Sequence, residues 1–273
     1  KNYRIRKKGI KIKMNSISAD LNIMIKACQK ASKVLIRDFG EVEKLQVLTK
    51  GPSDFVSNAD TKAEKIIIEE LLKAKKNYSI ISEEDGSKIN KDKENVWIID
   101  PIDGTSNFLH GVPHFAITIA LKTNNEIVSG LIFDPIKDEM FYAEKNCGAY
   151  LNNQRIRVSA RSKLKECIIF TGGPRLNYKD RDLSLLEYKR FSSKVLTPIR
   201  KMGSAALDMA YVAAGRCDGF WQRNLNYWDI AAGIILVKEA GGFVTDFVGN
   251  DKFVENKTIL ATNSRINEEM IEV

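Results

Sequence analysis

The sequence predicts a mixed α/β fold. Amphipathic repeats of helical period occupy both ends of the chain. Between them run short apolar segments of strand length, separated by turns rich in Asn, Gly and Pro. At 273 residues, with 44% hydrophobic and 29% charged, the chain has the composition of a globular protein and can build one large core. No run of 18 apolar residues exists, which excludes a membrane-spanning helix as the sequence reads.

Each element has its own local reason. Ser16 or Ser18 can cap a first helix, on which Leu21, Met24, Ile25, Cys28, Ala31 and Leu35 share a face and Gly40 is the predicted stop. Gly51-Pro52 marks a turn, Asp54 follows, and a second helix is predicted to start near Asp60, burying Ala63, Ile66, Ile67, Leu71 and Ala74. On local grounds Asp60 is an N-cap. Residues 78–82 read as a strand running into Glu83-Glu84-Asp85-Gly86, and the lysine-rich stretch 88–95 as a surface loop. Residues 96–99 form an apolar run read as a buried strand, and 115–122, 127–133 and 140–145 read as a meander. Its turns are Asn124-Asn125 and Pro135-Ile136-Lys137-Asp138, with a further turn at Asn152-Asn153-Gln154. Residues 167–171 are a predicted strand closed by Gly172-Gly173-Pro174, 181–195 a helix, and 199–205 the approach to a helix ending near Gly215. Asp229 is predicted to open an apolar helix that runs to Glu239 and closes at Gly241-Gly242; the small residues at 231–233 allow it to pack closely. Strands at 243–247 and 258–262 and a C-terminal helix complete the set. No internal repeat or low-complexity linker divides 14–273, which reads as one domain with two packed halves, roughly 14–150 and 151–273.

The net charge of +8 suggests a nucleic-acid partner until it is located. Residues 1–13 hold seven of the 43 basic residues and no acid, leaving 36 basic against 35 acidic elsewhere. The basicity therefore belongs to a short tail, expected to be disordered, and strong nucleic-acid binding by the folded body is not expected. The tail lacks the apolar core of a signal peptide, so the cytoplasm is the expected compartment. Cys28, Cys147, Cys167 and Cys217 are widely spaced with no C-x-x-C pair, which argues against zinc and for reduced thiols, Cys28 and Cys167 in the core.

The chemistry concentrates at Trp97-Ile98-Ile99-Asp100-Pro101-Ile102-Asp103-Gly104-Thr105-Ser106-Asn107-Phe108. Two acids three residues apart close a strand, and Pro101 fixes the backbone between them. Hard divalent cations take oxygen ligands of this kind. The N–H groups of Gly104, Thr105 and Ser106 open a helix, a place that favours an anion such as phosphate. Read in isolation, Asp100 could equally be a strand-end residue and Asp103 an N-cap. Glu83, Glu84 and Asp85 are three consecutive acids at a strand end, either a solvated turn or a group neutralised by a cation. His110 and His114 lie beside the motif, just after it, and read as loop structure.

This segment resembles the signature of the inositol monophosphatase family, Asp-Pro-Ile-Asp-Gly-Thr-x-Asn-Phe after a Trp-containing strand. The Glu83-Glu84 pair and Trp228-Asp229-Ile230-Ala231-Ala232-Gly233 match further family motifs in order, so the resemblance covers 14–273. It implies a layered αβαβα sandwich of the inositol monophosphatase / fructose-1,6-bisphosphatase type. The implied activity is hydrolysis of a small phosphate monoester with Mg2+, with sensitivity to Li+, and the family is often dimeric. Carried over residue by residue, Glu83, Asp100, Asp103, Asp229 and the Ile102 carbonyl would hold metal. Asp60, Thr105 and Glu83 would activate the attacking water; Glu84 has a weaker claim. Asp103, Gly104, Thr105, Ser106, Gly203, Ser204 and Ala205 would line the substrate site. Gln222 stands where the family usually has a Glu that bonds the inositol ring. That departure bears on substrate choice and leaves the metal chemistry untouched. Inositol 1-phosphate is the first expected substrate; histidinol phosphate, fructose bisphosphate or a nucleotide 3'-phosphate are alternatives. Some bacterial members of the family act with the transcription machinery, which here would go through a protein partner.

Overall fold

The computed structural model describes residues 17–45, 52–173 and 180–273. Two helices come first, α1 (Ala19–Leu45) and α2 (Pro52–Ala74). The strands β1 (Tyr78–Ser82), β2 (Gly86–Lys88), β3 (Asp92–Asp103), β4 (Ala116–Thr123), β5 (Glu126–Asp134), β6 (Glu139–Glu144), β7 (Gly148–Leu151) and β8 (Gln154–Ile156) follow, with the short α3 (Thr105–Leu109) between β3 and β4. They form one sheet in the order β2-β1-β3-β4-β5-β6-β7-β8, in which β1 and β3 are parallel. Then come β9 (Ile169–Thr171), α4 (Arg181–Lys194), α5 (Ala205–Ala213), β10 (Gly219–Arg223), α6 (Tyr227–Glu239), β11 (Phe243–Thr245), β12 (Thr258–Thr262) and α7 (Asn267–Ile271). The second sheet has the order β11-β12-β10-β9.

The elements stack as α/β/α/β/α. Strand alternation assigns the side chains to layers. On β3, Trp97 and Ile99 face the core under α1 and α2, while Val96 and Ile98 face the core containing α5 and α6. On β10, Phe220 joins that central core, and Trp221 points outward to pack with Phe191 of α4 and Met270 of α7. Small residues let the central layer close up. A Cβ at Gly233 of α6 would lie 2.7 Å from the Met209 sulfur of α5, and one at Gly130 of β5 2.9 Å from the Ala232 carbonyl oxygen. Gly and Ala on α6 thus do what their size suggested.

Several boundaries differ from expectation. Helix α1 runs through Gly40 to Leu45, because a glycine with open space around it weakens a helix without ending one. Helix α2 begins at Pro52, a residue suited to a first turn, so Asp60 lies inside the helix and is not its N-cap. The stretch 88–95 is not all loop: β2 takes Lys88 and β3 begins at Asp92. The 167–171 strand starts at Ile169, after a single 3-10 turn over Leu164–Glu166, and the 243–247 strand stops at Thr245. Helix α6 begins at Tyr227, with Asn226 as its cap and Asp229 in its first turn. Strands β7, β8 and β10 were not anticipated. They are short, and only the turn between β7 and β8 carries a local signal. The basic tail 1–13 lies outside the described residues, as does Gly51.

Candidate active site

One cleft, of about 680 Å3, opens where β1, β3, α5 and α6 end or begin. Its lining includes Glu83, Asp100, Ile102, Asp103, Gly104, Thr105, Ser106, Gly203, Ser204, Ala205, Gln222 and Asp229. Twelve residues spread over 147 positions of sequence are thus brought to one wall. Asp60 is held nearby, against Glu83 and Glu84, but does not line the cleft.

The backbone of β3 explains how two acids at an odd spacing face one space. Asp100 pairs with Thr118 and Asp103 with Ala116, so three steps on β3 match two on β4. Such a bulge re-aims side chains that would otherwise point to opposite faces of the sheet. Pro101 sits inside it, where no ladder N–H is required of it. Asp100 Oδ1 accepts the Ile102 N–H at 2.9 Å, and the Thr105 hydroxyl donates to the Ile102 carbonyl at 3.0 Å.

Helix N-termini supply the next restraints. Asp103 Oδ2 accepts the Ala206 N–H at 2.8 Å and the Ser204 hydroxyl, so it caps α5 from across the cleft. Ser204 itself caps α5 by accepting the Leu207 N–H at 3.2 Å. Asp229 Oδ2 accepts the Asn226 N–H at 2.7 Å as half of a capping box. Each carboxylate therefore has an N–H donor and the positive end of a helix dipole beside it.

Asn107 was not singled out by the sequence, yet its amide donates to the His114 carbonyl at 2.7 Å and the Met202 carbonyl at 2.8 Å. It ties the motif to the segment that delivers Gly203 and Ser204. Gly104 must be glycine: its φ is 98°, and a Cβ would lie 3.2 Å from the His114 carbonyl oxygen and 3.3 Å from that of Gly203. Gly172, outwardly a turn residue, is the seat of Gln222, whose Oε1 would lie 2.2 Å from a Cβ there. Asp208, one turn into α5, also lines the cleft and is buried.

The electrostatics are those of crowded acids. Asp100, Asp103 and Asp229 each offer an oxygen within 4.8 Å of the others. Burial, then Asp103, Glu83 and Asp229, push Asp100 well above the usual carboxylate range. Burial raises Glu83 too, although its hydrogen bond with Asp100 works against the shift. Burial and then Glu84, Glu83 and Glu64 push Asp60 up to about 8. Its Oδ1 has no hydrogen-bond partner among the described residues. An all-oxygen, anionic donor set in which the acids resist ionising together fits a hard divalent cation, and among the described residues no thiol or imidazole lines the cleft to favour a softer one. His110 binds the Ser106 carbonyl and His114 is buried behind the motif, so both are loop structure as expected.

A layered α/β/α/β/α sandwich with an acidic cleft beside helix N-termini is the architecture of a class of phosphatases. The sequence model of the inositol monophosphatase family matches residues 17–273. The inositol-1-monophosphatase of Rhizobium meliloti (strain 1021) is 50% identical over 256 residues, 94% of this chain and 96% of that protein. The Nus factor SuhB of Xylella fastidiosa (strain Temecula1 / ATCC 700964) is 40% identical over 254 residues, 90% of each chain. Among solved structures, the extragenic suppressor protein suhB of Bartonella henselae superposes with a TM-score of 0.87 at 49% identity, over 93% of this chain and 98% of that one. The chain belongs to the inositol monophosphatase family. Among the described residues, no helix is long and apolar enough to cross a membrane.

Proposed function

We propose that this enzyme hydrolyses a small polyol or sugar phosphate with Mg2+, inositol 1-phosphate first among the candidates. One observation carries the reading: Glu83, Asp100, Asp103 and Asp229 line a single cleft, and three of them have oxygens within 4.8 Å of one another. The cleft volume of about 680 Å3 suits a small phosphorylated ligand.

Glu83, Asp100, Asp103, Asp229 and the Ile102 carbonyl would hold the metal. When bound, Mg2+ would supply Lewis-acid chemistry, neutralising phosphoryl charge and making the attacking water more acidic. The protein groups do the rest. The backbone N–H donors at Asp100, Asp103 and Asp229 hold three of the carboxylates in place before any ligand arrives. Thr105 spends its hydroxyl proton on the Ile102 carbonyl, so toward the attacking water its oxygen would act as an acceptor. Asp60, on α2 close to Glu83 and Glu84, would act with Glu83 and Thr105 in activating that water. The N–H groups of Gly104, Thr105 and Ser106 receive the phosphate, and Gly203, Ser204, Ala205 and Gln222 receive the alcohol portion.

The test is a panel of small phosphates assayed with Mg2+, with EDTA, and with Mg2+ restored. Activity abolished by EDTA, restored by Mg2+, and greatest on inositol 1-phosphate is the expected result. Full turnover in exhaustively chelated protein overturns the reading. Relatives named Nus factor SuhB support a second reading, a protein-binding role in transcription, compatible with the first.

A further inference from the structure

We propose that Glu64 is a positioning residue that fixes the Glu83 end of the carboxylate cluster and thereby sets how tightly the site holds Mg2+. This inference rests on the metal-site reading above.

Glu64 lies on α2, one helical turn after Asp60 and therefore on the same face. It is a glutamate at 1% exposure, an uncommon place for an acid. Both of its oxygens are used. Oε2 accepts the backbone N–H of Glu84 at 3.0 Å, and Oε1 accepts that of Asp85 at 2.8 Å. These two donors belong to the turn that leaves β1 immediately after Glu83. The carboxylate thus clips the turn to α2, the helix that carries Asp60.

Glu83 differs from the other cluster acids in its support. Asp100, Asp103 and Asp229 each accept a backbone N–H directly. The bonds that hold Glu83's segment in register run through β1 up to Ser82; the Glu83 carboxyl bonds Asp100, and the backbone of the turn beyond it is anchored to α2 by the two bonds to Glu64. The electrostatic setting makes the clip informative. Glu64 is among the charges that oppose ionisation of Asp60, Glu83 and Glu84. A neutral acceptor would give a stable turn with less repulsion, but glutamine offers one acceptor oxygen where two N–H groups need one each. The two-point grip is what the carboxylate adds. Partners that orient ligating groups without touching the metal commonly carry about tenfold to a hundredfold of its affinity.

The test compares full-length wild type, Glu64→Gln and Glu64→Asp. Mg2+ affinity is read by calorimetry and by the Mg2+-induced rise in Tm; kcat and KM are read across a Mg2+ titration. Glu64→Gln should weaken Mg2+ binding by about tenfold to a hundredfold, while kcat at saturating Mg2+ stays within about threefold of wild type. Glu64→Asp keeps both acceptors on a shorter stem and should recover part of the affinity. Folded Glu64→Gln that binds Mg2+ as wild type does overturns the inference. If Glu64→Gln fails to fold, Glu64→Asp with wild-type affinity overturns it and an intermediate affinity supports it. Wild type that binds no Mg2+ removes the metal-site reading and this inference together, whereas binding in wild type with no change in either variant removes this inference alone.

Discussion

Asp103→Asn separates a ligand from a structural cap. In the folded protein Asp103 Oδ2 accepts the Ala206 N–H and the Ser204 hydroxyl, and an asparagine oxygen can accept both. What the change removes is one negative charge from a group whose oxygens approach within 4.8 Å. At an effective dielectric of about 20, two unit charges at 4.8 Å repel by about 3 kcal/mol. Asp100 already resists ionising because of burial and Asp103, so the relief is smaller, roughly 1–2 kcal/mol. Replacing charge-assisted hydrogen bonds by neutral ones gives back about 1 kcal/mol. The sum is near zero to slightly stabilising.

The assay is thermal unfolding in EDTA and again in Mg2+, with turnover measured alongside. In EDTA the variant should melt within a few degrees of wild type, or above it, at roughly 2–4 °C per kcal/mol. In Mg2+ at about 100 times its Kd, wild type should gain about 2.7 kcal/mol and the variant almost nothing. Turnover should fall by at least about a hundredfold. A variant that melts far below wild type in EDTA, or that keeps its Mg2+ stabilisation, refutes this reasoning and makes Asp103 primarily the cap of α5.

Two further changes follow from groups with defined surroundings. His114 is held down at about 4, from 6.5, by burial and the neighbouring Lys137, and its Nε2 has no hydrogen-bond partner among the described residues. The unfolded chain therefore binds a proton that the native chain refuses between those values, and His114 costs stability as pH falls through that window. His114→Gln should flatten the loss between pH 6.5 and 4 in denaturant melts, and an unchanged pH profile would contradict the burial argument. For Gln222→Glu, the side chain stays seated on Gly172 and gains a charged acceptor. kcat/KM for inositol 1-phosphate should rise about fivefold to tenfold, mostly in KM, with a linear phosphate unaffected. Equal changes on both substrates would show that Gln222 does not read the ring.

Legibility tracked distance along the chain. The motif at 97–108 was readable because its signals are local: an apolar run, a proline between two acids, and a Gly-Thr-Ser turn that opens a helix; the bulge, a register shift against β4, was not. Asp229 was placed by resemblance, since alone it looks like any residue opening a helix. Glu64, Asn107 and Asp208 escaped notice for a common reason. Each acts on backbone or space contributed by a distant segment, Glu84 and Asp85 for the first, His114 and Met202 for the second, the Asp103 neighbourhood for the third. Spacing could at most have flagged Glu64, four residues after Asp60 on one helix face. Helix α2 shows the opposite error: an acid that looked like a cap lay inside a helix whose start was signalled by Pro52.

At Asp103 and Asp229, which the sequence reads either as N-caps or as ligands, the structure shows that contact with a helix N-terminus and a place in the cleft wall are not alternatives. A carboxylate has two oxygens and about four lone-pair positions, so one side chain can serve a helix and a cleft together. Asp229 does this at its own helix, accepting the Asn226 N–H while lining the cleft. Asp103 does it at a distance, capping α5 and not the α3 that follows it, whose N-cap is Gly104 at φ 98°, a residue with no side chain to cap with. The arrangement answers a physical problem. Crowded acids need compensation even when no cation is bound, and a helix N-terminus supplies it from groups already in the fold. It also fixes which substitutions are informative. Alanine at 103 or 229 deletes a cap and a cleft acid at once, so lost activity and lost stability arrive together. Asparagine retains the acceptor and removes the charge, and only that comparison assigns the two roles to separate measurements.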